Sequence, residues 1–575
     1  MQLRIAITHL LSISMLLLLS ACSKANDPQK LTPRVTTQVA GKAVFERFRY
    51  EGKDQIFEAE LAPNQFQNPI VAGFFPDPSI TRKGDDFYMV HSTFSYAPGV
   101  PILHSTDLIN WQLIGHALSQ ESQLDLEGQQ VSRGIFAPTI RYHDGLFYMI
   151  TTRIDGGGNF IVTAKDPAGT WSDPIWLPEI NGIDPDIFFD DDGKVYITHN
   201  DAPQGEVLYE GHRAIWLWEF DLAAKKVVAD SGRMIINGGV DLSKQPIWIE
   251  APHIYKIDGW YYLLCAEGGT ADQHSEVVFR SRDLSEPFIP YQNNPILTQR
   301  TLDENRINPI TTAGHADLIQ TSSGEWWAVF LATRTYDKSF YNTGRETFLL
   351  PVSWKDGWPH IWPEDSAIPY RLDKPAGLPT TLVSQPLTGN FVWLDEFDQP
   401  QRDLQWLTLR GFDTSWYNIE QGAVSMTPKG VTLMQLQQPA LLVKRQQHMR
   451  YSASTTLQVP ASPGFSAGLV AMQNEQYLYY LGIKRSGAGL KVFLEQAKGS
   501  EAKVVYEQVL SQSLAKSITF TIEGDKGDIR FAYQLDDKNS VDIGQTWDGK
   551  ILSTQVAQGF VGTMLGIHSR LEKDK

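Results

Sequence analysis

Three acidic residues, Asp77, Asp184 and Glu250, stand at proline-flanked strand openings: Phe75-Pro76-Asp77-Pro78-Ser79, Asp184-Pro185-Asp186-Ile187 and Glu250-Ala251-Pro252-His253. Two further openings carry Phe136, in Phe136-Ala137-Pro138-Thr139, and His315, in His315-Ala316-Asp317-Leu318. Aspartate is common at turns, so any one of these acids could be a turn former. Three acids at matching repeat positions, where a purely structural repeat would place apolar residues, point to chemistry. Crowded carboxylates repel, and at least one should keep its proton near neutral pH. One protonated and one ionised carboxyl on opposite sides of an acetal can hydrolyse a glycoside. The acid donates to the leaving oxygen, the base takes a proton from attacking water, and a third acid can tune and orient the pair. The chain's 27 Phe, 21 Tyr and 16 Trp residues suit the apolar faces of sugars.

The elements that position these residues follow from a repeat. A turn glycine followed by aromatic and apolar residues occurs five times: Gly84-Asp85-Asp86-Phe87-Tyr88, Gly145-Leu146-Phe147-Tyr148, Gly193-Lys194-Val195-Tyr196, Gly259-Trp260-Tyr261-Tyr262 and Gly324-Glu325-Trp326-Trp327. Asp144, Asp192, Asp258 and Ser323 precede four of the glycines. An Asp-Gly step between apolar runs marks a hairpin, because glycine tolerates the positive φ that such turns need. The glycines lie 61, 48, 66 and 65 positions apart, room for about four short strands each, with no long helical period between them. Radially repeated four-stranded units make a β-propeller, here of five blades within residues 66–374; an irregular β-sandwich is the alternative. Phe136, Asp184, Glu250 and His315 each stand nine residues before their glycine, and Asp77 stands seven before Gly84. Equivalent positions in a radial repeat fall on one ring, so these residues should meet near the central channel.

Gly73-Phe74-Phe75-Pro76-Asp77-Pro78-Ser79, Gly182-Ile183-Asp184-Pro185, Glu250-Ala251-Pro252-His253-Ile254-Tyr255-Lys256, Ala266-Glu267-Gly268-Gly269-Thr270, Gly314-His315-Ala316-Asp317-Leu318 and Gly344-Arg345-Glu346-Thr347-Phe348 together resemble glycoside hydrolase family 43 across the whole propeller segment. The resemblance implies a five-bladed propeller that cleaves xylosides or arabinosides with inversion. It implies Asp77 as general base, Glu250 as general acid, and Asp184 as the residue that raises the acid's pKa and orients it. Phe94, Phe136, Thr270 and Arg345 match positions that line the sugar pocket. His315 matches a histidine beneath the pocket that in relatives often binds calcium or ordered water; no cofactor is required for the reaction. Phe136 stands where many relatives have tryptophan, a smaller platform that could alter pentose preference. Arg345 also has a physical reading, since its planar fork suits bidentate contacts to hydroxyls or a carboxylate.

The rest of the chain bounds these expectations. Its 575 residues carry 50 Lys and Arg against 66 Asp and Glu, a formal charge of −16, which argues against a nucleic-acid surface. The two cysteines, Cys22 and Cys265, exclude a disulfide framework and a four-thiolate zinc site. Arg4, the apolar run from Leu10 to Leu19 and Leu19-Ser20-Ala21-Cys22 resemble a lipoprotein leader. That implies removal of residues 1–21, acylation of Cys22, residues 22–65 as a tether and N-terminal extension, and a bacterial envelope location. A plain secretory leader is the alternative. Residues 375–390, with Pro375, Pro379 and Pro386, read as a linker. From residue 391 to 575 short strands such as Tyr451 to Val459 and Tyr477 to Ile483 predict a β-sandwich, so the fold class is all-β. Trp393-Leu394-Asp395-Glu396-Phe397 resembles the concanavalin-like domain appended to many β-xylosidases of the family, where it packs on the propeller mouth. Gly464-Phe465-Ser466-Ala467-Gly468 fits a serine-hydrolase elbow on paper, but strands on both sides argue against it.

The expected activity is exo-acting release of terminal xylose from xylo-oligosaccharides by single displacement. An α-L-arabinofuranosidase acting on arabinoxylan, an endo-arabinanase and a non-catalytic glycan-binding lipoprotein are the competing readings.

Overall fold

A computed structural model describes residues 41–572, apart from 488, 511–514 and 537. The expected leader and Cys22 lie outside the described residues. Among these residues, five antiparallel sheets repeat in chain order. Blade 1 comprises Ser79–Lys83, Asp86–Val90, Gly99–Ser105 and Gln112–Leu118; blade 2 Thr139–His143, Leu146–Arg153, Gly158–Ala164 and Ile175–Trp176. Blade 3 comprises Ile183–Phe189, Val195–Asp201, Ala214–Asp221 and Lys226–Val227, with Arg233–Asn237 alongside. Blade 4 is Glu250–Ile257, Trp260–Glu267, Ser275–Ser281 and Ile289–Pro290, with Leu297–Thr298 alongside, and blade 5 is Ile310–Gln320, Trp326–Arg334, Glu346–Lys355 and Trp358–His360. The first strand of each blade packs on the first strand of the next, and that of blade 5 returns to blade 1. The wheel is therefore closed, with no free edge at its hub.

The hub is polar and draws one or more side chains from every blade. Arg141 donates to Asp317 (2.7 Å), to Asp186 (3.0 Å) and to His253 Nδ1 (3.1 Å). Ser79 and Tyr255 also donate to Asp317, at 2.7 and 2.5 Å. Burying such groups is costly unless their bonds are made, and here most are. Outside the hub, apolar layers fill the spaces between blades, as with Tyr88, Val90, Ile102, Ile140, Phe147 and Phe160 between blades 1 and 2.

The second domain is a sandwich of two antiparallel sheets. One has six strands, running Ala440–Arg445, Met564–Leu571, Phe465–Asn474, Tyr477–Ser486, Gly489–Lys498 and Ala502–Leu510. The other centres on Arg450–Gln458, Ser517–Asp525 and Asp528–Leu535, and it takes in the C-terminal part of the expected N-terminal extension: Ala43–Gly52 is one of its inner strands. That strand pairs with Arg450–Gln458 on one side and with Val392–Asp395 and Ala423–Met426 on the other. The reason lies in its pattern, since Phe45, Phe48 and Tyr50 are buried in the sandwich core between more exposed polar residues. Residues 375–390 are likewise pinned rather than free. Thr381 N–H donates to Asp107 at 2.8 Å, Thr388 bonds the Pro69 carbonyl, and Leu387 joins the apolar cluster of Ile80, Trp111 and Leu349.

The two domains share a polar seam. Arg334 of blade 5 is fully buried, bonded to Glu346 (2.7 and 2.8 Å), to Asp54 (2.8 Å) and to the Gln447 carbonyl of the sandwich (3.2 Å). Arg445 Nε donates to the Phe74 carbonyl at 2.5 Å and lies over the Phe75 ring. The elbow-like Ser466 sits inside the strand Phe465–Asn474, buried and bonded to Tyr480, so no strand-to-helix turn exists there.

Candidate active site

The innermost strands are bent where the chemistry-bearing residues sit. Register slips occur between Ile183 and Asp186, between Glu250 and His253, and at Thr311–Gly314–Asp317. Asp77, Asp184, Ala251 and His315 all adopt left-handed backbone, at φ 53, 55, 50 and 56°. A bulge of this kind re-aims a side chain that strand alternation would send elsewhere. Non-glycine residues in that region cost on the order of 1–3 kcal/mol each and persist only where surrounding structure dictates them. Their coincidence at four blades marks the site.

What the bulges produce is one cavity of about 590 Å³, lined by Asp77, Asp184, Glu250, Phe94, Phe136, Thr270, His315 and Arg345. All eight residues picked from the sequence as catalytic, substrate-binding or metal-ligating positions in the propeller thus face the same space. Arg345 donates to Asp77 (2.7 Å) and to Thr270 Oγ1 (3.1 Å), and Ser92 donates a short bond to the other Asp77 oxygen. Both Asp77 oxygens are therefore fixed. The Ala251 amide donates to Asp184 at 3.2 Å, tying this acid to the backbone beside Glu250.

The charges are not balanced. Glu250 is pushed up to about 7, first by withdrawal of its carboxyl from water and then by the charge of Asp77. Asp184 is also raised, by burial and then by Glu250 and Asp77. His315, 3.7 Å from Asp77, is pushed down to about 3 by burial and is neutral at ordinary pH. The arrangement offers a carboxylate held by an arginine on one side and a proton-holding carboxyl on the other.

The surroundings of His315 do not make a calcium cage. Calcium takes six to eight oxygen ligands, whereas the charged or titratable groups acting on the His315 ring are the imidazoles of His253 and His274, the Arg345 guanidinium and an Asp77 carboxylate already engaged by Arg345 and Ser92. The Glu276 carboxylate nearby accepts from the His315 and Ala316 amides. Among the described residues, no group of three or more His, Cys, Asp or Glu is placed to hold a metal ion.

Sequence reasoning missed several wall residues: Arg133, Asn200, Arg213, Trp248 and Phe560. Phe560 comes from the sandwich. Its ring stacks on Phe94 (5.9 Å between centroids) and meets Phe136 edge-on (5.9 Å), while the Arg345 guanidinium lies 5.6 Å above it. The second domain thus supplies part of the cavity wall. No local signal marks Phe560, whereas Trp248, two residues before Glu250, could have been found by asking which aromatics flank the acids.

Comparison with known proteins agrees with this fold. Residues 66–359 match the family described as Glycosyl hydrolases family 43, and residues 394–573 match the Beta xylosidase C-terminal Concanavalin A-like domain. The chain belongs to glycoside hydrolase family 43 and is a glycosidase. It is 39% identical over 508 residues to a protein of Butyrivibrio fibrisolvens named Xylosidase/arabinosidase, covering 87% of this chain and 95% of that one. A non-reducing end alpha-L-arabinofuranosidase of Bacteroides ovatus is 35% identical over 88% of this chain and 92% of its own length. A crystal structure of a subfamily-12 member retrieved from capybara gut metagenome superposes with a TM-score of 0.87 at 40% identity, covering 92% of this chain and all of that one.

Proposed function

We propose that this protein is an exo-acting, inverting pentosidase that releases terminal xylose from xylo-oligosaccharides. The observation that carries the reading is the unequal charge in the cavity: Asp77 gripped by Arg345, and Glu250 raised to about 7. In this reading Asp77 takes a proton from the attacking water, and Glu250 gives its proton to the glycosidic oxygen as the C–O bond breaks. Asp184 keeps Glu250 protonated and oriented. The displacement uses only these carboxylates, with Phe94, Phe136, Thr270 and Arg345 holding the sugar. General acid–base help of this kind contributes about 10²–10⁴-fold from each partner.

Release of α-L-arabinofuranose from arabinoxylan is the second reading, favoured by the name of the Bacteroides ovatus relative. The Phe560 wall argues against an endo-arabinanase, which needs an open cleft. Parallel hydrolysis of nitrophenyl β-xylopyranoside and nitrophenyl α-L-arabinofuranoside decides between them. A higher kcat/KM on the xyloside supports the first, a higher value on the arabinoside supports the second, and inertness on both rejects the pentosidase reading.

The leader pattern supports acylation of Cys22 and a bacterial envelope location. Loss of palmitate labelling in Cys22→Ala would support the anchor; unchanged labelling would remove it.

A further inference from the structure

One wall of the cavity carries a pair of residues that the displacement does not use. The Arg213 guanidinium lies over the Trp248 indole, its Cζ 4.1 Å from the ring centroid, and both residues line the cavity. Three arginines line this space, and two are committed: Arg345 to Asp77, and Arg133 to Asp155. Among the described residues Arg213 has no carboxylate partner; its Nη1 donates to the His212 carbonyl at 3.0 Å, leaving the remaining N–H groups unspent. An unspent guanidinium fork beside a sugar-sized space is a ready donor to hydroxyls.

The pair is held in place. Trp248 N–H donates to the Gly211 carbonyl at 2.8 Å, Tyr209 donates to the Pro246 carbonyl at 2.7 Å, and His212 bonds Asn237 at 2.8 Å. Gly211, at φ 80°, lies so close to Ile247 that an added Cβ would come within 3.1 Å of it. The segment before blade 3's third strand is thereby clamped to the residues leading into Glu250. At about 590 Å³ the cavity is also in the range that takes a ligand larger than one pentose ring. Asp77, Thr270, Phe94 and Phe560 gather around Arg345, which leaves the Trp248 wall for a second sugar.

We propose that Arg213, laid on Trp248, is a specificity and positioning residue on the leaving-group side, where its free N–H groups hold the hydroxyls of the sugar whose oxygen Glu250 protonates. This rests on the pentosidase reading above. A second consequence follows from charge. Glu250 faces Asp77, Asp184, Arg345 and Arg213, with neutral His315 in the same wall, and Arg213 is one of the two cations that restrain its rise. Removing that cation must lift Glu250 further and move the alkaline limb of the rate profile upward.

The test compares wild type, Arg213→Gln and Arg213→Lys on the pentosyl disaccharide and on the nitrophenyl pentoside that the wild type cleaves, with kcat/KM followed against pH. The nitrophenyl group has no hydroxyls to receive the arginine. Arg213→Gln should lose at least tenfold more on the disaccharide than on the nitrophenyl substrate, and its alkaline limb should rise by about half a unit. Arg213→Lys should keep the wild-type limb while still losing on the disaccharide, since an ammonium carries the charge without the fork. Equal losses on both substrates, or a limb in Arg213→Gln that stays put, overturn the proposal. A wild type inert on both substrates instead defeats the pentosidase reading.

Discussion

Two clusters of side chains are built from neighbouring positions of the same inner strands, and they differ in how their charge is balanced. Asp184 and Asp186 are two residues apart, as are His315 and Asp317, and Glu250 lies three before His253. The deeper member of each pair belongs to the hub, where Arg141 bonds Asp186, Asp317 and His253. Burial alone would push Asp317 up, but Arg141, with His253 and Tyr255, holds it well below the usual carboxylate range. The outer acids face the cavity, where the arginine bond goes to Asp77 and, among the described residues, none reaches Glu250 or Asp184, so burial and mutual repulsion raise both. One set of strands thus yields a centre whose carboxyls are held down and another whose carboxyls are raised. The difference is which acids an arginine bonds directly: Arg141 of blade 2 bonds both hub carboxylates, whereas Arg345 bonds only Asp77 among the cavity's three.

The largest effects should separate the two clusters by what they damage. Asp77→Asn and Glu250→Gln should each lower kcat on a pentoside by about 10³-fold or more, with the fold retained by circular dichroism; near-wild-type turnover in either removes that residue from the mechanism. Arg141→Met should do the reverse. It strands two buried carboxylates, Asp186 and Asp317, and should cost on the order of 3–5 kcal/mol in denaturant unfolding. A loss below about 1 kcal/mol would show that the hub is not held by that charge.

Phe560→Ala opens the wall that the sandwich contributes. It should raise KM by about tenfold, because the ring offers apolar surface to substrate before and during reaction alike. Unchanged KM would reduce the second domain to a scaffold. The smallest effect concerns stability. The folded pKa of Glu250, about 7, exceeds that of a free carboxyl, so its stabilising contribution is complete at low pH and is lost as pH rises through 7. Glu250→Gln should therefore melt higher than wild type at pH 8, by about 1–2 kcal/mol of stability, and show no such gain at pH 4. A variant less stable at pH 8 than at pH 4, each relative to wild type, contradicts the charge assignment.

Much of the wheel can be read from the chain because its signals are local and repeated. Each Asp-Gly or Ser-Gly hairpin announces a blade, and the offset to the preceding residue puts Phe136, Asp184, Glu250 and His315 on one ring. The Ala43–Gly52 strand escaped because its partners, Arg450–Gln458 and Val392–Asp395, lie hundreds of residues away and no hairpin turn announces the pairing. The alternation of Arg47 and Arg49 with buried Phe48 and Tyr50 contains the clue, and the register shift between Phe45 and Arg47 puts Phe45 out of step with it. Phe560 and Arg213 were hidden for a related reason. Both sit outside the repeated strand openings, and only tertiary packing carries them to the cavity wall.

Proton NMR of the first-formed sugar tests the central claim, that Asp77 and Glu250 act as a base and an acid with water between them. Carboxyls in these roles stand roughly 6.5–9.5 Å apart and deliver water to the face opposite the leaving group. Hydrolysis of a β-xyloside should therefore show α-xylose appearing first, followed by slow mutarotation. Initial release of β-xylose would mean a covalent intermediate and would contradict the assignment of Asp77 as a base.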